Sequence, residues 1–97
     1  MRPHIVAALV ATSCAIPALA EGTAALPGEV RAFIEKRDIC DHFRGEEAYD
    51  AERAKQIDEA LALNCTGTDA ELARLRSEFA GDAAIIGALA DYETRIE

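Results

Sequence analysis

With 18 acidic against 10 basic side chains in 97 residues, a formal net charge of −8, the chain carries a field that repels phosphate backbones and anionic lipid. That balance argues against nucleic acid and membrane surfaces as partners and mildly favours cationic ones, while keeping a chain in solution is the commoner reason for such acidity. The length suffices for one small domain, and a core of that size gains from a covalent staple.

Met1–Ala20 reads as an export signal: Arg2 gives a positive start, Ile5–Ile16 a mostly apolar run, Pro17 a helix break, and Ala18-Leu19-Ala20 an A-x-A cleavage site before Glu21. The run of twelve residues is well short of the ~20 that cross a hydrocarbon core. An alternative treats Ala11-Thr12-Ser13-Cys14 as a loose lipobox, anchoring a lipoprotein through Cys14. The missing leucine and the apolar residues beyond Cys14 count against it. A periplasmic or secreted location is therefore expected, with residues 21–97 as a single domain and 21–25 as a frayed leader. Without residues 1–20 the chain has nine basic and 18 acidic side chains, a charge of −9.

Cleavage leaves Cys40 and Cys65, and an exported protein meets an oxidising compartment, so a Cys40–Cys65 disulfide is predicted. Closing that loop removes about 3.5 kcal/mol of denatured-state entropy on the chain-entropy model.

The first helix is predicted to open near Leu26-Pro27-Gly28-Glu29, with proline at its first position and Glu29 complementing the dipole. At about 100° per residue, Leu26, Val30, Phe33, Cys40 and, at the edge, Phe43 share one face, whereas Glu35, Asp38 and His42 lie opposite. Gly45 is expected to end the helix in a left-handed conformation. Asp50 then caps a second helix through about Leu63, burying Ala54, Ile57 and Leu61.

Asn64-Cys65-Thr66-Gly67 reads as a turn, and Thr68-Asp69-Ala70-Glu71 as a capping box that starts a third helix to about Ala80, with Leu72, Leu75 and Phe79 inward. Gly81-Asp82 stops it and caps a fourth helix, Ala83 to about Arg95, presenting Ile85, Ile86, Leu89, Tyr92 and Ile96. The fold class expected is all-α: a small four-helix domain of short helices with one disulfide.

Chemistry concentrates in Cys40-Asp41-His42-Phe43-Arg44-Gly45-Glu46, which sets a thiol, an imidazole and both signs of charge before a glycine. A metal site from Cys40, His42 and Cys65, perhaps joined by Asp41, is one reading, and a Cys/His redox sensor is its relative. Cys40 and His42 stand about 200° apart on a helix, so they cannot grip one ion while the helix is intact, and oxidation removes both sulfur ligands. The same separation keeps His42 from acting as the base for a cysteine nucleophile. There is no C-x-x-C, no Gly-rich phosphate loop and one serine after the signal, Ser77, so no enzyme, cofactor or metal is expected. Arg37 and Arg44 project toward the Cys40 side, where an arginine lays its stem on the core and sends its guanidinium to a carboxylate. Asp41, Glu46, Glu47 and Asp50 are candidate partners, and Arg44 is the arginine assigned this structural role.

Phe33-Ile34-Glu35, the Cys40–Glu46 motif and Asn64-Cys65-Thr66-Gly67-Thr68-Asp69, behind an export signal, resemble a group of short exported proteins of proteobacteria. The resemblance spans essentially the whole chain after the signal and implies a Gram-negative periplasmic setting with paired cysteines, but no activity. In size, export, helix content and cysteine use alone the chain is remotely similar to the lysozyme-inhibitor LprI family, and no motif carries a functional residue across. The expected function is a small acidic binding or inhibitory module for a basic partner, such as lysozyme.

Overall fold

The computed structural model describes Pro3 and residues 26–97; apart from Pro3, the expected signal, the lipidation alternative at Cys14 and the leader 21–25 lie outside the described residues. The described chain is all-helical: α1 (Gly28–Arg44), α2 (Ala51–Cys65), α3 (Thr68–Glu78) and α4 (Ala83–Leu89) follow in order. Among the described residues no helix is long and apolar enough to cross a membrane.

Helix α1 starts one residue later than expected. Pro27 is the cap, its carbonyl accepting from the N–H groups of Val30 and Arg31 at 3.0 and 3.1 Å, and Gly28 is the first helical residue. Its buried stripe is Val30, Phe33, Arg37 and Cys40, so an arginine occupies the position where the apolar period called for a hydrophobe. Asp50 caps α2 as predicted, Oδ1 accepting from Arg53 N at 2.7 Å.

Val30 and Phe33 of α1, Leu72 and Leu75 of α3, and Ile85 and Leu89 of α4 form one core cluster, with Leu26, Ile34, Phe79 and Tyr92 packed on it. Each such side chain stabilises the fold by about 1.5–3 kcal/mol when fully buried. Helix α2 contributes nothing to this cluster. It lies along α1, yet Ile57, 7 % exposed, is its one buried residue and does not belong to the cluster. The Cys40–Cys65 disulfide, with Cα atoms 5.0 Å apart, joins the buried stripe of α1 to the last residue of α2.

Several local expectations are corrected. Gly45 sits at φ −91°, ψ −4°, a right-handed geometry; α1 closes through Gly45 N–H to His42 O at 3.2 Å, a tightened last turn that requires no left-handed residue. The left-handed glycine is Gly67, φ 82°, between α2 and α3. The Thr68–Glu71 capping box does not form. Thr68 is already helical, its hydroxyl donates to Cys65 O at 2.7 Å, and Glu71 turns to Arg74 at 2.7 Å.

The third correction is the length of α4, which ends at Leu89 rather than near Arg95. Side chains from other helices take the carbonyls that a longer helix would have used. Arg76 Nη2 donates to Leu89 O and Tyr92 O at 2.7 and 3.1 Å, and Arg37 Nη2 to Glu93 O at 2.5 Å. Tyr92 still reaches the core, edge-on to Phe33 with ring centroids 5.4 Å apart. Ile86, expected inward, is 38 % exposed.

Candidate functional site

The Cys40–Glu46 motif forms the end of α1 and the start of the loop to α2, and nearly every member is engaged in holding that junction. Cys40 is fully buried in the disulfide. Asp41 accepts from Arg37 Nε at 3.3 Å and from Arg44 Nη1 at 3.0 Å, bridging two arginines that lie one turn to either side of it. Phe43, half-buried, lies edge-on to His42 and carries the Arg53 guanidinium 5.7 Å above its ring centre, a cation–π contact between α1 and α2. Glu46 holds the same Arg53 through both oxygens, at 2.6 and 2.8 Å. The Glu46 bond raises the Arg53 pKa, so the pair stays charged.

His42 is exposed, as its position opposite the apolar stripe requires. Its neighbour at i−4, Asp38, is engaged elsewhere, accepting from Tyr92 Oη at 2.6 Å. Burial first, and then that bond to Asp38, push the Tyr92 phenol well above its ordinary pKa, so it remains a donor at neutral pH.

The arginine at the centre is Arg37 rather than Arg44. Arg37 is fully buried, and its planar fork is used on three sides: Nε to Asp41, Nη1 to Thr68 Oγ1 at 3.4 Å, and Nη2 to Glu93 O. Asp69 completes the charge balance with an oxygen 3.8 Å from Nη1. Burying a guanidinium is tolerable only when it is paired and hydrogen-bonded in this way, and among the described residues no buried side-chain nitrogen or oxygen lacks a partner. Arg44 pairs with Asp41 and, at 3.5 Å, with Glu93 at the surface, a third of its side chain exposed. Position in the stripe marked both arginines. The groups that distinguish them, Thr68, Asp69 and the Glu93 carbonyl, are too far along the sequence to be assigned to either.

A second fixture lies beside this one. The Asp69 carboxylate accepts from the N–H groups of Ile96 and Glu97 at 3.1 and 3.0 Å, while the Glu97 carboxylate accepts from Gly67 N and Asp69 N at 3.0 and 3.1 Å. A side chain 28 residues downstream thus supplies the cap that the local box does not. The Glu97 and Ile96 donors, aided by Arg37, hold the Asp69 carboxyl below the usual carboxylate range.

These contacts decide what the motif does chemically. With Cys40 and Cys65 in a disulfide, neither offers a thiolate, and His42 is exposed on the outer face of α1. Among the described residues no group of three or more His, Cys, Asp or Glu converges as a metal ion requires. A groove of about 380 Å³ opens between the first half of α1 and the start of α3, lined by Glu29, Phe33, Lys36, Gly67, Thr68 and Glu71. No motif residue lines it. Compared with protein-family models, with curated proteins and with solved structures, the chain matches none.

Proposed function

We propose that the chain is an exported, non-enzymatic binding module that engages a basic protein, as an inhibitor where that protein is an enzyme, through the outward side of α2 and the loop before it. The observation that carries the reading is how the negative charge is distributed. Most described carboxylates are taken up internally: Arg37, Arg44, Arg53 and Arg74 bind Asp41, Asp69, Glu93, Glu46, Glu29, Glu71 and Glu78, and Asp50 and Asp82 cap helices. Glu35, Glu47, Glu52, Asp58, Glu59 and Asp91 accept no hydrogen bond or ion pair from a described residue, and Glu47, Glu52, Asp58 and Glu59 all fall within one short stretch.

Glu52, Lys55, Glu59 and Leu63 share the side of α2 opposite Ile57, so one lysine stands among the acids there. Leu63 is 74 % exposed and Tyr49, in the preceding loop, 82 %. Unneutralised acids around an exposed aliphatic and an exposed aromatic suit a partner that brings lysines or arginines and an apolar contact of its own. The consumption of the Cys40–Glu46 motif in structural contacts favours binding over catalysis. The disulfide agrees with an oxidising compartment, where export would deliver the chain.

The test is capture of partners from periplasmic or extracellular extract at low and at high salt. Retention of a basic protein at low salt and its release as ionic strength rises is the expected result, because charge between exposed groups is screened over about 8 Å at physiological salt. If no basic protein is retained at low salt, the reading is overturned.

A further inference from the structure

We infer that the disulfide tethers a detachable arm, residues 45–65, to a core that is complete without it, so that reduction by a dithiol releases α2 while α1, α3 and α4 stay folded. The core cluster draws its six buried side chains from α1, α3 and α4 alone. Helix α2 adds one buried residue, Ile57, outside that cluster. Helix α2 lies along α1, but the side-chain tie found between them besides the disulfide is Arg53 over Phe43; the Arg53–Glu46 ion pair lies within the arm itself. A helix of 15 residues is marginal in water by itself, so the covalent link decides whether α2 stays helical and in place.

The two ends of the link differ in access. Cys40 is enclosed, whereas Cys65 is partly exposed at the end of α2, beside the turn at Thr66-Gly67. A thiolate of the reductant attacks Cys65 Sγ, the Cys40–Cys65 bond breaks, and Cys40 leaves as a thiolate that takes up a proton. The second thiol of the reductant then displaces Cys65 from the mixed disulfide. The reductant ends as a disulfide, two electrons have passed to the protein, and both cysteines are thiols. Cleavage removes the constraint on the Cys40–Cys65 loop, and the arm becomes a long insertion between α1 and α3 whose closure is still held by Arg37, Thr68 and the core. The proposed binding side belongs to this arm, so its geometry would exist only in the oxidised protein; the tether itself stands or falls independently of any partner.

Amide hydrogen exchange read by mass spectrometry on the oxidised protein, the dithiothreitol-reduced protein and a Cys40→Ser/Cys65→Ser variant tests it. Amides of 51–65 should exchange faster in the reduced and variant proteins by on the order of a few hundredfold, the scale of the lost loop constraint, while 30–37, 68–78 and 83–89 keep their protection. Simultaneous loss of protection in all four helices would overturn the inference, since the core would then depend on α2. Unchanged protection of 51–65 would overturn it equally, by showing that α2 holds its place without the tether.

Discussion

At the scale of single residues the junction between α1 and its neighbours depends on Arg37, which the apolar period of α1 flags only as an irregularity. Arg37→Ala leaves Asp41, Thr68 Oγ1 and Glu93 O without their shared donor, and breaking a buried pair of this kind costs about 3–5 kcal/mol. Arg37→Lys should recover little of it, because an ammonium cannot reproduce the fork that spans three elements. The ion pairs of Arg44 are exposed, so Arg44→Ala should cost about 0.2–1 kcal/mol, and His42→Ala, on the outer face, within about 0.5 kcal/mol. Urea melts of the oxidised variants at pH 7 give the order directly. An Arg44→Ala loss equal to that of Arg37→Ala would mean that the wrong arginine has been placed at the centre.

Among the elements, the segment after α4 depends most on titratable groups. The Asp69 carboxyl has its folded pKa lowered by the Glu97 and Ile96 N–H groups and by Arg37, so its contribution to stability is present in full above the ordinary carboxylate range and is lost as pH falls through the depressed value. Glu71, lowered by Arg74, acts in the same direction. Stability of the native chain should therefore fall as pH drops below the ordinary carboxylate range, and Asp69→Ala should flatten that acid limb. An unaltered acid limb in urea melts of Asp69→Ala would show that the clasp on Ile96 and Glu97 contributes nothing.

The same segment shows where sequence reasoning stops. Local signals located α1, α2 and α3 to within a few residues, because their apolar periods and the Asp50 cap act over neighbouring positions. The end of α4 is set by Arg37, Arg76 and Asp69 from other helices, and the Thr68 hydroxyl that should have capped α3 is recruited by Cys65 O and Arg37. Tertiary demand overrides the local pattern in both cases. Within the Cys40–Glu46 motif the disulfide and the outward His42 were legible, whereas the pairing of Glu46 with Arg53 rather than Arg44 required α2 to be in place.

For the whole molecule, net charge is a poor guide to what a partner would meet. The nine arginines and lysines among residues 26–97 are spent mostly on junctions, which leaves the unneutralised acids unevenly spread and richest along α2 and the loop before it. Long-range steering follows the total charge, but the docked complex should follow the local excess. Those two contributions separate when the same change in charge is made in two places. Glu52→Lys/Glu59→Lys reverses two carboxylates on α2, and Glu35→Lys/Asp91→Lys makes an identical change at unpaired positions away from it. The measurement is the affinity of both double variants for the captured basic partner at one fixed salt concentration. The account predicts that the α2 pair loses at least ~2 kcal/mol of binding, about thirtyfold, because charges close to the contact are involved, while the distal pair loses a few-fold at most. Equal losses from both pairs would contradict it, since the partner would then be responding to total charge and not to the face of α2.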